Sequence, residues 1–233
     1  MSFYRSIRSS IGKEIKSRPL HRIYRKFSDY TMIPESVYVD NLILAQRVVG
    51  HSGCVVECGV WRGGMCAGIA SIMGLNRQYF LFDSYEGLPL AKEIDGQAAT
   101  AWQQDKDSSN FYDNCKAEEG FADTAMSLSG AKSYSLVKGW FSETMENFVP
   151  PEPISLLRLD ADWYDSTMTC LESLYQHVMP GGLIILDDYY TWDGCSRALH
   201  DFLSRRSATE RIRSFGETCY IFKGVETRET QAS

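Results

Sequence analysis

Two apolar runs in this sequence each end in a pair of carboxylic acids. The first run ends in Asp160 and Asp162, and the second ends in Asp187 and Asp188. Buried parallel strands have near-continuous apolar runs of this kind, and open α/β sheets bind ligands beyond the carboxyl ends of their strands. Carboxylates gathered there repel one another unless a cation or a proton lies between them. The pattern therefore favours a metal-assisted enzyme that uses a hard, oxygen-loving cation, although some of these acids could instead cap the helices that follow.

The composition is that of one ordinary globular domain. The chain has 233 residues, of which 44% are hydrophobic and 23% are charged, which suits one substantial α/β domain. No apolar run approaches the roughly 20 residues that a membrane span needs, and no secretory signal is evident. Seven cysteines without a C-x-x-C pair argue against a disulfide framework and a zinc site. We therefore expect a cytoplasmic protein.

The net charge of −6 is distributed unevenly. Residues 1–26 hold eight Lys or Arg residues against Glu14 alone, which predicts a basic N-terminal arm over residues 1–30. Apolar residues recur every four positions over residues 3–15, as on one face of a helix. Such a helix could dock on its own domain, contact a second subunit or lie on a membrane; we favour the first two. The acidic remainder shows no basic patch interleaved with aromatic residues, which argues against nucleic acid as a partner.

Strand-like and helix-like segments alternate along the chain, which predicts a doubly wound parallel sheet. Strands are expected at residues 55–59, 79–83, 133–137, 154–159, 183–186 and 217–223, and helices at residues 38–49, 65–73, 166–178 and 195–205. The Pro180-Gly-Gly triplet predicts a sharp stop before the strand at residue 183. Residues 90–121 are polar and are interpreted as an insertion in a domain of residues 31–225, and residues 226–233 form a polar tail.

The turn after the first predicted strand is rich in glycine. Gly59, Gly63 and Gly64 would let a ligand approach the backbone closely. The turn lacks the G-x-G-x-x-G spacing of a dinucleotide site, and Glu57 would repel a pyrophosphate. Asp83 ends the second strand, where a carboxylate can accept both hydroxyls of a ribose; the alternatives are a tight turn and a capped loop. Glu57 and Asp83 together favour a nucleoside that carries positive charge, as S-adenosylmethionine does.

Five segments resemble the macrocin O-methyltransferase family, in the family's order and over roughly residues 30–225. They are Val56-Glu-Cys-Gly-Val-Trp-Arg-Gly-Gly, Phe82-Asp-Ser-Tyr-Glu-Gly-Leu-Pro, Lys138-Gly-Trp-Phe-Ser-Glu-Thr, Leu157-Arg-Leu-Asp-Ala-Asp-Trp-Tyr-Asp-Ser-Thr and Pro180-Gly-Gly-Leu-Ile-Ile-Leu-Asp-Asp-Tyr. The resemblance implies a class I S-adenosylmethionine-dependent methyltransferase, with a Rossmann-like, mostly parallel seven-stranded sheet covered by helices on both faces. It also implies a bound divalent cation, Mg or another, and O-methylation of a sugar hydroxyl in a glycosylated natural product or glycan.

The resemblance gives the acidic residues roles. Asp160, Asp187 and Asp188 are the expected metal ligands, and either Asp160 or Asp162 is the expected general base. The methyl donor is expected to contact Glu57, Gly59, Trp61, Gly63, Gly64, Asp83, Ser84, Gly139, Trp140 and Phe141. The insertion at residues 90–121 is expected to close over the acceptor. Aromatic side chains beside the acid-ended strands suit a sugar or aglycone face or pack beneath a lid: Trp163, Tyr164, Tyr189, Tyr190 and Trp192.

Other functions stay open on the sequence alone. The acceptor could be a catechol-like or other small-molecule hydroxyl. A dehydrogenase or phosphotransferase on the same kind of sheet is disfavoured, because neither G-x-G-x-x-G nor G-x-x-x-x-G-K-[ST] is present. A catalytically silent binding protein would have no chemical reason to keep four acids at strand ends. The sequence leaves open whether the protein forms a homo-oligomer.

Overall fold

Seven strands form one sheet in the computed structural model, which describes residues 18–224. They are β1 (Cys54–Cys58), β2 (Gln78–Asp83), β3 (Ser133–Lys138), β4 (Ile154–Leu159), β5 (Val178–Leu186), β6 (Arg213–Phe215) and β7 (Thr218–Phe222). The strand order is β3-β2-β1-β4-β5-β7-β6. Strands β1 to β5 run parallel, whereas β7 is antiparallel to both β5 and β6. The predicted mostly parallel seven-stranded sheet is therefore confirmed.

Helices cover both faces of the sheet. The main ones are α1 (Glu35–Gln46), α2 (Gly64–Met73), α3 (Gln97–Gln104), α4 (Glu119–Ser129), α5 (Phe141–Thr144), α6 (Tyr164–Leu174) and α7 (Asp193–Arg205). Helices α1, α2 and α4 pack in one hydrophobic core, and α6 and α7 pack in the other. Successive strand residues point to opposite faces: Val55 and Ile185 lie in the first core, Val56 and Ile184 in the second. This double coverage explains why the strands read as continuous apolar runs.

Two helices end differently from the prediction. Helix α1 begins and ends three residues before the predicted range of 38–49. Helix α6 ends at Leu174 and is followed by a 3-10 turn at Tyr175–His177. The Pro180-Gly-Gly triplet lies inside β5 instead of before it, because β5 already pairs with β4 at Val178. The pairing register then shifts, so the triplet forms an irregularity of the kind in which strands tolerate Pro and Gly.

The segment at residues 90–121 contains local structure of its own. It has a 3-10 turn at Glu93–Asp95, helix α3, and a turn at Tyr112–Cys115 in which all four residues have φ between 47° and 62°. A left-handed run without glycine is unfavourable by roughly 1–2 kcal/mol per residue. Hydrogen bonds offset part of this cost, since the Asn114 side chain donates to Leu88 O and accepts from Gln103.

The described part of the basic arm packs against the domain. Residues 18–27 are helical, and Leu20 and Phe27 are buried in the first core. The charged and apolar residues that precede residue 18 lie outside the described residues, as does the tail from residue 225. Between residues 18 and 224, no helix has the length and apolar character needed to cross a membrane.

Candidate active site

The carboxyl ends of the five parallel strands meet along one edge of the sheet. Strands β1, β2 and β3 end at or next to Gly59, Asp83 and Gly139, and β4 and β5 are followed by Asp160 and Asp187. Hydrogen bonds continue the ladder past the strands, because Gly59 N donates to Phe82 O and Asp160 N donates to Cys58 O. The functional side chains therefore lie where the hydrogen-bonded strands of the sheet end.

A cavity of about 650 Å³ opens at this edge. Its volume falls within the usual range for small-molecule sites. Most of the predicted site residues line it: Glu57, Gly59, Trp61, Asp83, Ser84, Gly139, Trp140, Phe141, Asp160, Asp162, Asp187 and Asp188. Residues 30–34 and side chains of the 90–121 segment complete the wall. The structure thus brings the predicted donor, metal and acid residues into one space.

Three carboxylates cluster at the ends of β4 and β5. Asp160, Asp187 and Asp188 each offer an oxygen, and these oxygens lie within 4.8 Å of one another. Asp188 is buried, and its Oδ2 accepts a hydrogen bond from Asp162 N at 3.1 Å. Hard cations such as Mg²⁺ and Ca²⁺ prefer sets of carboxylate oxygens. The residues present therefore fit a divalent cation.

The carboxylates at this end of β4 and β5 repel one another. Burial, followed by repulsion from Asp160, raises the pKa of Asp162 to about 8. Burial likewise raises the pKa of Asp187 to about 6, against the lowering effect of Arg158, and raises the pKa of Asp188 well above its ordinary value. A raised pKa is expected of a buried carboxylate that has too little positive charge nearby. A bound divalent cation would supply that charge.

Glu57 is held by a buried arginine on the neighbouring strand. Glu57 of β1 pairs in register with Arg158 of β4, and Arg158 Nη1 donates to Glu57 Oε1 at 2.7 Å. The other oxygen, Oε2, is buried and has no hydrogen-bond partner among the described residues. Burial raises the pKa of Glu57 to about 7, although Arg158 opposes the shift. A buried acceptor beside a cavity suits a cationic donor group, such as the ammonium of S-adenosylmethionine.

Asp83 braces the glycine turn. Its Oδ2 accepts hydrogen bonds from Val60 N and Trp61 N at 2.8 Å, and its Oδ1 accepts one from Tyr85 N at 2.7 Å. Burial raises the pKa of Asp83, whereas these hydrogen bonds lower it. The carboxylate still lines the cavity, so the predicted contact with a ribose stays a prediction alongside this second role.

The three glycines of the turn serve different purposes. Gly59 has φ +81°, and a Cβ there would lie 1.7 Å from the carbonyl oxygen of Asp160. Gly63 and Gly64 do not line the cavity. A Cβ at Gly63 would meet Ala122 at 2.9 Å, and one at Gly64 would meet Tyr30 O at 2.5 Å. Close packing therefore explains Gly63 and Gly64, and their predicted contact with the methyl donor receives no support from the cavity.

Indole rings form the acceptor side of the cavity. The Trp163 ring centroid lies 5.3 Å from that of Trp192 and 6.3 Å from that of Trp102, and all three side chains line the cavity. Tyr164, Tyr189 and Tyr190 are not among the residues that line the cavity, so their contact with an acceptor stays a prediction. Tyr164 packs in the second core, and Tyr189 contacts Tyr190.

The 90–121 segment is attached to the site at fixed points. Asp95 is buried, and it accepts hydrogen bonds from Lys92 N and from Tyr164 N, both at 2.7 Å. Trp163 Nε1 donates to Pro89 O at 2.9 Å. The segment therefore lies over the cavity edge through specific contacts.

Sequence reasoning assigned no role to two important residues. Arg158 lies inside an apolar strand. The available signal was that a charged residue stands at the matching place in two strands: Glu57 lies two positions before Gly59, and Arg158 lies two positions before Asp160. Trp102 lies in the polar segment at residues 90–121. The available signal was that a large aromatic residue stands among polar ones.

Comparison with known proteins agrees with the fold. A model of the macrocin-O-methyltransferase (TylF) family matches residues 27–224. The chain is 30% identical to the 8-demethyl-8-(2,3-dimethoxy-alpha-L-rhamnosyl)-tetracenomycin-C 4'-O-methyltransferase of Streptomyces olivaceus, over 84% of this chain and 74% of the relative. It is 29% identical to the mycinamicin III 3''-O-methyltransferase of Micromonospora griseorubida, over 70% of this chain, and the match spans 65% of that relative.

A solved structure shares the same fold. The O-methyltransferase NovP superposes with a TM-score of 0.69 at 23% identity, over 84% of this chain and 83% of NovP. The family model covers most of the chain, including all seven strands of the sheet. The protein therefore belongs to the macrocin-O-methyltransferase (TylF) family.

Proposed function

We propose that the protein transfers a methyl group from S-adenosylmethionine to a sugar hydroxyl of a glycosylated natural product, with the help of a divalent cation. One observation carries this proposal: Glu57, whose buried Oε2 has no hydrogen-bond partner among the described residues, lines the same cavity as the cluster of Asp160, Asp187 and Asp188. The first feature suits the cationic donor, and the second suits a cation beside the acceptor hydroxyl. The names of the two relatives, both O-methyltransferases and one for a rhamnosyl compound, support the acceptor class.

The donor half of the cavity is built from β1, β2 and β3. S-adenosylmethionine supplies a methyl group on a sulfonium centre. Glu57 Oε2 would accept a hydrogen bond from its ammonium, and the open backbone at Gly59 would admit its methionine part. Asp83 would accept from the ribose hydroxyls, and Trp140 and Phe141, which follow β3, would flank the adenine.

The acceptor hydroxyl needs activation, because its ordinary pKa lies far above 7. A divalent cation held by Asp160, Asp187 and Asp188 would lower that pKa and fix the direction of the oxygen. We assign the general base to Asp162. Asp160 is already engaged by Arg158 at 2.9 Å and belongs to the cation cluster, whereas Asp162 lines the cavity and is oriented by Trp192 Nε1 at 3.1 Å. Asp162 would take the hydroxyl proton while the oxygen bonds the methyl carbon and the carbon–sulfur bond of the donor breaks.

The charge of the cavity wall favours a neutral sugar. The described residues that line the whole cavity include eight carboxylic acids and one cation, Lys92, which is itself paired with Asp165. Such a wall repels nucleic acids and other polyanions. The ring faces of Trp102, Trp163 and Trp192 suit the apolar face of a sugar or an aglycone.

The compartment and the assembly are also part of the proposal. All seven cysteines lie in the described chain as free thiols, and free thiols suit a reducing cytoplasm. Helical residues 18–27 dock on the domain. A homo-oligomer stays a prediction, and its simplest test is sedimentation of the purified protein.

Isothermal titration and metal removal test the two cofactor assignments. S-adenosylmethionine should bind with measurable heat, whereas NADH and ATP should not. EDTA should abolish turnover, and Mg²⁺ should restore it. Binding of NADH or ATP without binding of S-adenosylmethionine would refute the donor assignment, and full turnover in metal-free protein would refute the cation assignment.

A further inference from the structure

We propose that Arg158 is a positioning residue that holds the methyl-donor site and the cation site in a single arrangement. The proposal rests on the function proposed above. Arg158 does not line the cavity and touches neither ligand itself. It would act through the carboxylates that it binds, which belong to both halves of the site.

The guanidinium contacts one residue of the donor site and two of the cation site. Nη1 donates to Glu57 Oε1 at 2.7 Å and to Asp160 Oδ2 at 2.9 Å, and Nη2 lies 2.6 Å from Asp187 Oδ1. The remaining donor, Nε, contacts Asn41 Oδ1 of helix α1 at 3.1 Å. Arg158 is completely buried, so water does not compete for these donors.

Each of these ion pairs engages one oxygen of its carboxylate. For Glu57, the engaged oxygen is Oε1, and Oε2 is left as the buried acceptor beside the cavity. For Asp160, the engaged oxygen is Oδ2. These hydrogen bonds therefore hold the rotamers in which Glu57 presents an oxygen to the donor and Asp160 presents one to the cation, and the ion pair with Nη2 holds the Asp187 carboxylate beside them.

Only an arginine can make this set of contacts. Its planar fork has five N–H donors at fixed angles, whereas a lysine ammonium is a point charge at the end of a flexible chain. A lysine at position 158 would keep the positive charge but could not span β1, β4 and the end of β5 at once. This variant would therefore change the orientation of the carboxylates more than it changes the local charge.

The Arg158→Lys variant tests the proposal through two dissociation constants. One is for S-adenosylmethionine, measured by isothermal titration, and the other is for Mn²⁺, measured by electron paramagnetic resonance. We expect both constants to rise at least about tenfold, which corresponds to roughly 1.4 kcal/mol for each ligand. A purely structural ion pair would lower the melting temperature and leave both constants unchanged.

Arg77 offers a matched control. Its side chain donates to five oxygen acceptors, of Met73, Gly53, Ser155, Val49 and His51, at the opposite end of the sheet. Arg77→Lys should lower the melting temperature and leave both dissociation constants within about twofold of the wild type. If Arg158→Lys behaves like Arg77→Lys, the proposal is wrong.

A milder variant covers the case in which Arg158→Lys does not fold. Asn41→Ala removes the acceptor of Nε and should raise the dissociation constant for S-adenosylmethionine about threefold or more, although Asn41 does not line the cavity. An unchanged constant in folded Asn41→Ala would overturn the proposal. Failure of the wild-type protein to bind S-adenosylmethionine would instead overturn the proposed function.

Discussion

The proposed function gives two neighbouring residues of the same type different roles. Asp160 and Asp162 are both aspartates, but Asp160 is bound by Arg158 and belongs to the cation cluster, whereas Asp162 is oriented by Trp192. Asp162 also has φ +54°, which is unusual for a residue other than glycine. Strained backbone of this kind is concentrated at functional sites, which agrees with a role in the reaction.

The isosteric substitutions Asp162→Asn and Asp160→Asn should separate these roles. Asp162→Asn should lower kcat by about 10²–10⁴, the usual contribution of general base catalysis. It should leave the dissociation constants for S-adenosylmethionine and Mn²⁺ nearly unchanged. Asp160→Asn should weaken Mn²⁺ binding as well. Equal loss of Mn²⁺ affinity in both variants would contradict the assignment of Asp162 as the base.

Gly59 should be irreplaceable for a steric reason. Alanine at position 59 would place Cβ 1.7 Å from the carbonyl oxygen of Asp160 at a φ of +81°. We expect Gly59→Ala to lower the free energy of unfolding by about 2–4 kcal/mol and to weaken binding of S-adenosylmethionine. Gly50→Ala is the control, since a Cβ there meets nothing within 4 Å. Urea denaturation and titration calorimetry measure the two effects, and normal donor binding by Gly59→Ala would count against the assigned position of the donor.

At the residue scale, the sequence predicts the acidic residues of the site better than the residue that binds them. Asp160, Asp187 and Asp188 are recognisable because each follows an apolar strand, and the structure brings their oxygens together. Arg158 is not recognisable in the same way, because its role depends on the β1–β4 register that pairs it with Glu57. That register is set by the packing of the whole sheet.

At the element scale, the 90–121 segment forms part of the cavity wall, and we propose that it closes the acceptor side. Asp95 joins the segment to helix α6 through the backbone N–H of Tyr164 and is itself almost fully buried. Hydrogen bonds to a charged group contribute about 1.5–3 kcal/mol each. The segment is therefore fixed where it meets α6.

Asp95→Ala should release this attachment. We expect the KM for the acceptor to rise at least about tenfold, because the loss of one such hydrogen bond has that magnitude. The dissociation constant for S-adenosylmethionine should change less than twofold. Asp107→Ala, at an exposed position of the same segment, is the matched control and should behave like the wild type. Steady-state kinetics decide the matter, and an unchanged acceptor KM in Asp95→Ala would exclude the segment from acceptor binding.

The elements could be predicted in type but less well in extent. Apolar runs and glycine turns indicate the strands of the parallel part of the sheet. The short strand β6 and the strand position of the Pro180-Gly-Gly triplet could not be predicted, because both depend on pairing with a neighbour. The left-handed turn at Tyr112–Cys115 has no glycine to signal it, and it exists because tertiary hydrogen bonds hold Asn114.

At the scale of the whole molecule, the strand order places the site. Strand β1 lies between β2 and β4, so the donor residues of β1 and β2 come next to the acids of β4 and β5. The alternation of strands and helices was sufficient to predict a parallel sheet. The family resemblance implied a mostly parallel sheet of seven strands but did not identify the antiparallel edge, which β6 and β7 form.

Ligand binding should stabilise the whole fold by mass action. At a concentration one hundred times its dissociation constant, S-adenosylmethionine should raise the free energy of unfolding by about 2.7 kcal/mol. For a chain of this size, that corresponds to a rise in melting temperature of roughly 5–10 °C. Differential scanning fluorimetry measures the shift, with ATP at the same concentration as the control. A larger shift with ATP would contradict the assignment of the donor.

The most direct test of the account is methyl transfer from isotopically labelled S-adenosylmethionine to a panel of acceptors. The panel contains glycosylated macrolides and glycosylated aromatic polyketides, free deoxysugars, catechols and RNA, each with Mg²⁺ or with EDTA. The account predicts label on the sugar of at least one glycoside, only when Mg²⁺ is present, with no label on RNA. Preferential labelling of catechols or RNA, or labelling of a glycoside that persists in EDTA, would contradict it.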